Sequence, residues 1–370
     1  MLARTMRVHI DDQVFVSQAY GGISRYFFKL MEAFREDPSL GVDLCFPRIW
    51  TRNHDLYESG FGRRVPHRLR KRVALIKALN RRLRKGESYD VVHHSYYDPA
   101  YLKQFREARV SATTIYDMIP ETYPEFFPRG NPHRAKREYV ESADLIFCIS
   151  EATKREMIRL YGEPEGQVVV THLGVGSEFS PKAAPVTPLP TEYVLYVGAR
   201  GAYKDFSVLA SAFAQASLPS QIRVVAAGGG PPSRAEKKML LDLGIAGRVD
   251  FVSLSHQEIR GAYAHALTFV YPSRCEGFGL PTLEAMASGC PVILSGAPSH
   301  REVAGEAALF FEPEEPEGLA AQLERLVSRS DLRRDLVEQG FSRSGEFTWR
   351  RTVEKTSHAY RECLESLSDR

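Results

Sequence analysis

The chain has 370 residues, 43% of them hydrophobic, and a formal charge of +3. That length and apolar content exclude a disordered polypeptide and suit two domains with separate cores. No run approaches the roughly 20 apolar residues needed to cross a bilayer, and the N-terminus enters a strand without the apolar block of a secretory leader, so the chain is expected in the cytoplasm. Five scattered cysteines, Cys45, Cys148, Cys275, Cys290 and Cys363, contain no Cys-x-x-Cys pair and are expected to be reduced and structural.

In chain order, Arg7 to Ile10 reads as a strand and Ile23 to Phe34 as a helix, with Ile23, Tyr26, Phe27, Leu30 and Phe34 on one face. The Tyr20-Gly21-Gly22 turn lies between them. A strand at Asp43 to Phe46 is followed by Arg63 to Lys85, which holds eleven Lys or Arg residues and no acid, so the rest of the chain is net acidic. Leu69, Val73, Ile76, Leu79 and Leu83 recur there at helical steps, predicting a basic amphipathic helix. Such a helix suits an anionic membrane surface, at roughly 1 kcal/mol per basic residue, or docks on its own domain. Nucleic acid is disfavoured because no aromatic residues are interleaved with the charges.

Further strands are predicted at Val91 to His93, Ala112 to Ile115, Leu145 to Ile149 and Val168 to Thr171, an α/β alternation that favours a parallel sheet. His93 and His94, near a strand end, are possible contacts to a second substrate. Four prolines between Pro181 and Pro190 mark a linker. The pattern then restarts with a strand at Tyr193 to Val197, a helix at Phe206 to Gln215, and strands at Ile222 to Ala226, Val249 to Phe251 and Thr268 to Tyr271. No Gly-x-Gly-x-x-Gly is present. Gly228-Gly-Gly-Pro231 and Gly277-Phe-Gly279 both fail at the third glycine, which disfavours a dinucleotide oxidoreductase.

The stretch Arg274-Cys-Glu276-Gly277-Phe278-Gly279-Leu280-Pro281-Thr-Leu-Glu284 carries the clearest chemistry. Gly277 and Gly279 permit a tight turn, Pro281 suits a helix start, and Gly289 stops the helix. Backbone N–H groups from Phe278 to Leu280, aided by the helix dipole, form a resting place for a diphosphate. Glu276 can accept hydrogen bonds from sugar hydroxyls, and Glu284, expected in the first helical turn, can hold a ribose diol. Together these features suit a nucleotide sugar.

From Glu276 to Ile293 the run Glu-Gly-Phe-Gly-Leu-Pro-x-Leu-Glu-Ala-Met-Ala-x-Gly-x-Pro-Val-Ile resembles the Glu-x7-Glu signature of retaining glycosyltransferases of the two-Rossmann-domain type (GT-B), most closely glycosyltransferase family 4. The resemblance extends from Met6 to Leu367. It implies an acceptor-binding domain over residues 1–185, a donor-binding domain over 186–345 and a C-terminal crossover helix over 346–370 that returns to the first domain. Arg200 and Lys204 resemble the family's diphosphate-binding pair, and Gly21 and Gly22 its glycine loop. Tyr116-Asp117 stands where the family has His-Asp. Tyr116 can donate a hydrogen bond to substrate but cannot readily carry positive charge, and Asp117 is an acceptor-side candidate with surface capping as its alternative. Ser150 resembles the lip of the acceptor groove and is equally a good N-cap.

The absence of Asp-x-Asp, together with the resemblance, implies a reaction without a bound metal and with no cofactor beyond the sugar donor. GDP-mannose is the first expectation for the donor, because the pattern resembles bacterial mannosyltransferases of surface-polysaccharide synthesis, with UDP-sugars as the alternative. The expected acceptor is a saccharide or lipid-linked saccharide, reached from the cytoplasm or from the inner face of the plasma membrane. A catalytically silent sugar- or nucleotide-binding protein of the same fold is the competing reading.

Overall fold

A computed structural model describes residues 5–69, 71–83, 88–105 and 107–368. The chain divides into two units, one of Met1–Leu173 with Trp349–Arg370 and one of Gly174–Thr348.

The first unit is built on six parallel strands: β1 (Met6–Ile10), β2 (Val42–Leu44), β5 (Val91–His94), β6 (Val110–Ile115), β7 (Leu145–Cys148) and β8 (Gln167–Val170), in the order β2-β1-β5-β6-β7-β8. Two short strands, β3 (Ile49–Thr51) and β4 (Gly62–Arg64), form a separate parallel pair. The central strands, Val-Val-His-His, Val-Ser-Ala-Thr-Thr-Ile and Leu-Ile-Phe-Cys, are rich in β-branched residues and almost wholly buried, as sheets covered on each side require. The helix Gly22–Glu36 buries Tyr26, Phe27, Leu30, Met31 and Phe34, while Ile23 at its start is only half-buried.

The helix Trp349–Ser368 completes this unit. Val353, Thr356, Tyr360, Cys363 and Leu364 form its buried face at steps of three and four. The Tyr360 ring packs edge-on against Phe147 at 5.7 Å, and its hydroxyl lies 2.6 Å from His93 Nδ1. His93 Nε2 is 2.7 Å from Thr114 Oγ1, so both ring nitrogens are engaged inside the core. His94, also buried, lies 3.0 Å from Asp11. Neither histidine is the substrate contact expected from its place at a strand end.

The basic segment departs from the expected single helix. It runs as β4, a 3-10 turn at His67–Leu69 and a helix at Val73–Arg82, with Pro66 restricting the backbone before it; Arg70, Arg84 and Lys85 lie outside the described residues. Ile76 is buried against Val16 and Val65, with Leu69, Val73 and Trp50 packed around them. Asn80, on the same face, donates to Asp12 at 2.6 Å and accepts from Trp50 N–H at 2.8 Å. The apolar side of this segment is therefore spent on its own unit, leaving Leu75 and Leu83 exposed among the arginines.

The second unit repeats the plan with β9 (Tyr193–Val197), β10 (Arg223–Ala227), β11 (Val249–Val252), β12 (Thr268–Tyr271), β13 (Val292–Ser295) and β14 (Leu309–Phe311), ordered β11-β10-β9-β12-β13-β14 and parallel throughout. One face packs on Leu209, Phe213, Leu319 and Leu323, the other on Tyr263, Met286 and Cys290. The proline segment belongs here, so the division falls at Leu173/Gly174 rather than near residue 185. His265 Nε2 donates to Ala183 O at 2.9 Å, Phe179 enters the core, and Gly261 lacks the side chain that would collide with Ala184 O. Four prolines discourage regular structure there, but they do not prevent packing.

Replacing Tyr360 by Phe removes the partner of His93 Nδ1 and leaves a buried polar atom unpaired, a cost of about 1–3 kcal/mol. Denaturant unfolding of Tyr360→Phe is expected to show a lower midpoint, while the purified variant remains folded in buffer.

Candidate active site

Strand β9 pairs with β10 on one side and β12 on the other, so the chain order reverses between β9 and β12. Loops leaving the carboxyl ends of two such strands diverge and open a crevice. Gly198 to Lys204 follows β9, and Pro272 to Gly279 follows β12. Their polar ends meet: Lys204 Nζ lies 2.5 Å from Glu276 Oε1 and 3.1 Å from the Tyr271 hydroxyl. Both members of the ion pair are mostly buried, with 20% and 10% of their side chains exposed. Burial, then the nearby Glu276 charge, raises the Tyr271 phenol well above its ordinary range, so it remains protonated.

The two loops are stapled by Arg274, which pairs with Asp205 through Nε and through Nη2 at 3.1 Å, and with Glu314 at 2.5 Å. The Arg274 N–H also donates to Tyr203 O at 2.8 Å. This staple had no sequence signal, because the partners lie 69 positions apart.

Gly279 has φ +105°, a left-handed conformation that side chains rarely adopt, and it caps the helix Leu280–Ala287. Pro281 has no N–H and the Thr282 N–H donates to Gly279 O at 2.9 Å, so the donors this helix start offers a ligand are the Gly279 and Leu280 amides. Phe278 is buried, with its ring 5.9 Å from Phe347, so its side chain is turned into the unit's own packing. Glu284 sits at the fifth position of the helix, not in the first turn as expected. It is buried and accepts from the Tyr263 hydroxyl at 3.4 Å.

Arg200 and Lys204 point to different tasks. Arg200 Nε pairs with Glu236 at 2.7 Å, and its other nitrogens donate to the carbonyls of Gly228, Gly230 and Pro231. The guanidinium also lies over the Phe251 ring at 4.7 Å. Gly228, Gly229 and Gly230 all have left-handed φ, between 71° and 101°. Arg200 thus gathers the carbonyls of a turn that only glycines form without strain. It is not presented as an unencumbered phosphate ligand.

Residues 181–343 match the family model for glycosyl transferases group 1, and residues 20–179 match the model for glycosyltransferase family 4. The chain belongs to the GT-B glycosyltransferases. It is a hexosyltransferase enzyme with two parallel-sheet α/β domains. An O-antigen chain mannosyltransferase B from Escherichia coli is 28% identical over 312 residues, spanning 79% of this chain and 81% of that protein. An O-antigen chain mannosyltransferase from Salmonella typhimurium is 26% identical over 226 residues, 60% of this chain and 62% of the relative. In fold, sucrose-phosphate synthase from Thermosynechococcus elongatus superposes with a TM-score of 0.74 at 22% identity, covering 98% of this chain and all of the other.

In the first unit of the glycosyltransferase, Tyr116 is buried and its hydroxyl donates to Ser95 O at 2.9 Å, which removes it as a ready donor to substrate. Asp117 accepts from Ile119 N–H at 3.0 Å, the capping role, and also lies 3.9 Å from buried Lys136. Ser150 is buried as an N-cap and accepts from Thr153 N–H at 3.0 Å. Gly21 is extended and caps the helix that Gly22 begins; a side chain on Gly21 would meet Gln18. Among the described residues no group of three or more His, Cys, Asp or Glu side chains is placed to hold a metal, and no helix is long and apolar enough to cross a membrane.

His300 was missed in the sequence. It follows β13 and lies with its ring 4.9 Å from Tyr271, against the Gly279 turn. Its Nδ1 is 2.9 Å from Ser295 Oγ, and its Nε2 is buried without a partner, as are Ser273 Oγ, Thr282 Oγ1 and Ser299 Oγ nearby in the chain. Buried polar atoms are seldom left unpaired, being met by ordered water or by a ligand. Burial lowers the His300 pKa to about 4, partly opposed by Glu276. A buried base with a depressed pKa takes up its proton on unfolding, so its contribution to stability is lost as pH falls from about 6.5 towards 4. The unfolding midpoint is expected to drop across that window, and less steeply in His300→Gln.

Proposed function

We propose that the enzyme transfers a hexose, mannose in the first instance, from a nucleoside diphosphate sugar to a saccharide or lipid-linked saccharide of the cell surface, with retention at the anomeric carbon. GDP-mannose is the preferred donor and a UDP-sugar the alternative. The mannosyltransferase activity of the relatives supports the sugar. The observation that carries the donor site is the Lys204–Glu276 pair at the β9/β12 crevice, beside the amides that begin the helix Leu280–Ala287.

In this reading the second unit holds the donor and the first the acceptor. The diphosphate rests on the Gly279 and Leu280 amides, with Lys204 as the cation that meets the charge developing as the bond to the anomeric carbon breaks. Glu276, released from part of its hold on Lys204, accepts from sugar hydroxyls. Glu284, lying deeper, fixes the ribose through one of its oxygens. Arg200 acts through the glycine turn it organises, while Gly277 and Phe278 supply backbone to the same cradle. The acceptor oxygen bonds to the anomeric carbon on the face that the diphosphate leaves, and its proton passes to a phosphate oxygen. The reaction is proposed to need no metal. On the acceptor side, Gly21, Gly22, Asp117 and the Ser150 helix start are proposed to border the groove, and Tyr116 to shape it from beneath.

The exposed arginines of residues 63–85 are proposed to meet an anionic membrane surface by charge alone, since the apolar face of that segment is already packed. Binding should then weaken steeply with salt.

Glu276→Ala and Lys204→Ala are each expected to lower transfer by about a hundredfold or more, equivalent to about 3 kcal/mol, while still unfolding cooperatively, at a lower midpoint because the remaining charge loses its partner. The assay is radiolabelled hexose transfer from GDP-mannose and UDP-hexoses, with the product anomer read by NMR. Near-normal turnover in either variant removes the assigned role.

A further inference from the structure

Beside the glycine loop of the first unit lies a cavity of about 90 Å³ lined by Arg52, Asn53, His54, Tyr57 and Arg64, among others, with no carboxylate in its lining. One water needs only about 10–15 Å³ by a comparable measure, so a group the size of phosphate fits. Its walls are set by the β3/β4 pair. The register places Thr51 opposite Arg64, which brings Arg64 beside Arg52, the residue leaving the end of β3. Arg52 N–H donates to Phe15 O at 3.2 Å, His54 N–H to Ala19 O at 3.1 Å, and Thr51 Oγ1 to Phe15 O at 2.7 Å, so the cradle backbone is fixed before any ligand arrives.

The charge in this cavity is unspent. Among the described residues neither Arg52 nor Arg64 has a carboxylate partner; Arg64 lies over the Tyr57 ring at 5.8 Å. Arg200, Arg223 and Arg274, by contrast, each hold a carboxylate. His54 is held flat against Tyr20 at 4.5 Å and 13° between planes, and Tyr20 is otherwise 66% exposed. Two guanidinium groups and an imidazole among the lining residues of one small cavity supply the donor types that suit a phosphate oxyanion.

We propose that this pocket binds a phosphate group carried by the acceptor, either on a soluble sugar phosphate or in a lipid headgroup. The proposal deepens the function above and rests on it only for the identity of the phosphate carrier as the acceptor. It gives a task to Arg64, held at the end of β4 opposite Thr51.

The test is calorimetric titration of the full chain with glycerol phosphate, alongside sedimentation with phosphatidylcholine vesicles with and without phosphatidylglycerol. Arg52→Gln, Arg64→Gln and Lys204→Ala are compared with the parent. Saturable binding of glycerol phosphate, weakened about tenfold or more by each arginine change and intact in Lys204→Ala, supports the pocket with a soluble phosphate. The same dependence seen only with phosphatidylglycerol vesicles supports it with a headgroup. Arg64 is exposed, so Arg64→Gln carries the test if Arg52→Gln fails to fold, and Arg64→Lys should recover part of the affinity. Binding that is absent from both probes, that survives both arginine changes, or that disappears in Lys204→Ala instead overturns the proposal. If the arginine-dependent binding holds while no nucleotide sugar is ever turned over, the phosphate pocket stands and the transferase reading of the donor site fails alone.

Discussion

In each unit six parallel strands are buried between covering elements, so a polar side chain within the sheet must find its partner in the interior, as His93 does in Tyr360 and Thr114. Polar side chains meant for a ligand are placed at the strand ends, where neighbouring loops separate at the reversal of strand order. In the second unit that reversal lies between β9 and β12. Lys204 and Glu276, Arg274 and Asp205, and the Gly279 turn all follow from the same two strands. Their closeness is a property of the topology before it is a property of the residues.

The crevice is charge-balanced as it stands. Lys204 has a carboxylate and a phenol for company, and a half-buried ion pair gains its Coulomb energy against a comparable desolvation cost. A diphosphate offers the ammonium a stronger acceptor, and the displaced carboxylate then becomes available to neutral hydroxyls. One exchange thus couples the phosphate and sugar ends of a donor. Thr282 Oγ1 and His300 Nε2, buried against the same turn without a protein partner, are met there by water or by a ligand's hydroxyls.

The placement of Lys204 and Glu276 just past two strands was legible because the periodicity located those strands, Tyr193–Val197 and Thr268–Tyr271, as read, but their contact with each other, 72 positions apart, was not. Burial of Glu284 and the task of Arg200 were not legible. Both depend on distant partners, Tyr263 in one case and the Gly228–Pro231 carbonyls in the other. His300 had only a faint signal, a histidine just past the Val292–Ser295 strand at the carboxyl edge of the sheet. The strands β3, β4 and β14, three residues each, are too short for alternation to register. In the basic segment the apolar period was real, yet Pro66 and the turn after it broke the helix, and the apolar face found its partner within the same unit.

The central claim is that Lys204 and the Gly279 turn form a diphosphate site. The measurement that meets it most directly is thermal unfolding of the parent and Lys204→Ala with GDP, UDP, ADP and dTDP. A ligand at a hundred times its dissociation constant adds about 2.7 kcal/mol to stability. The account predicts stabilisation of the parent that favours one base, and loss of most of it in Lys204→Ala. Equal stabilisation of both proteins, or none with any nucleotide, would contradict it.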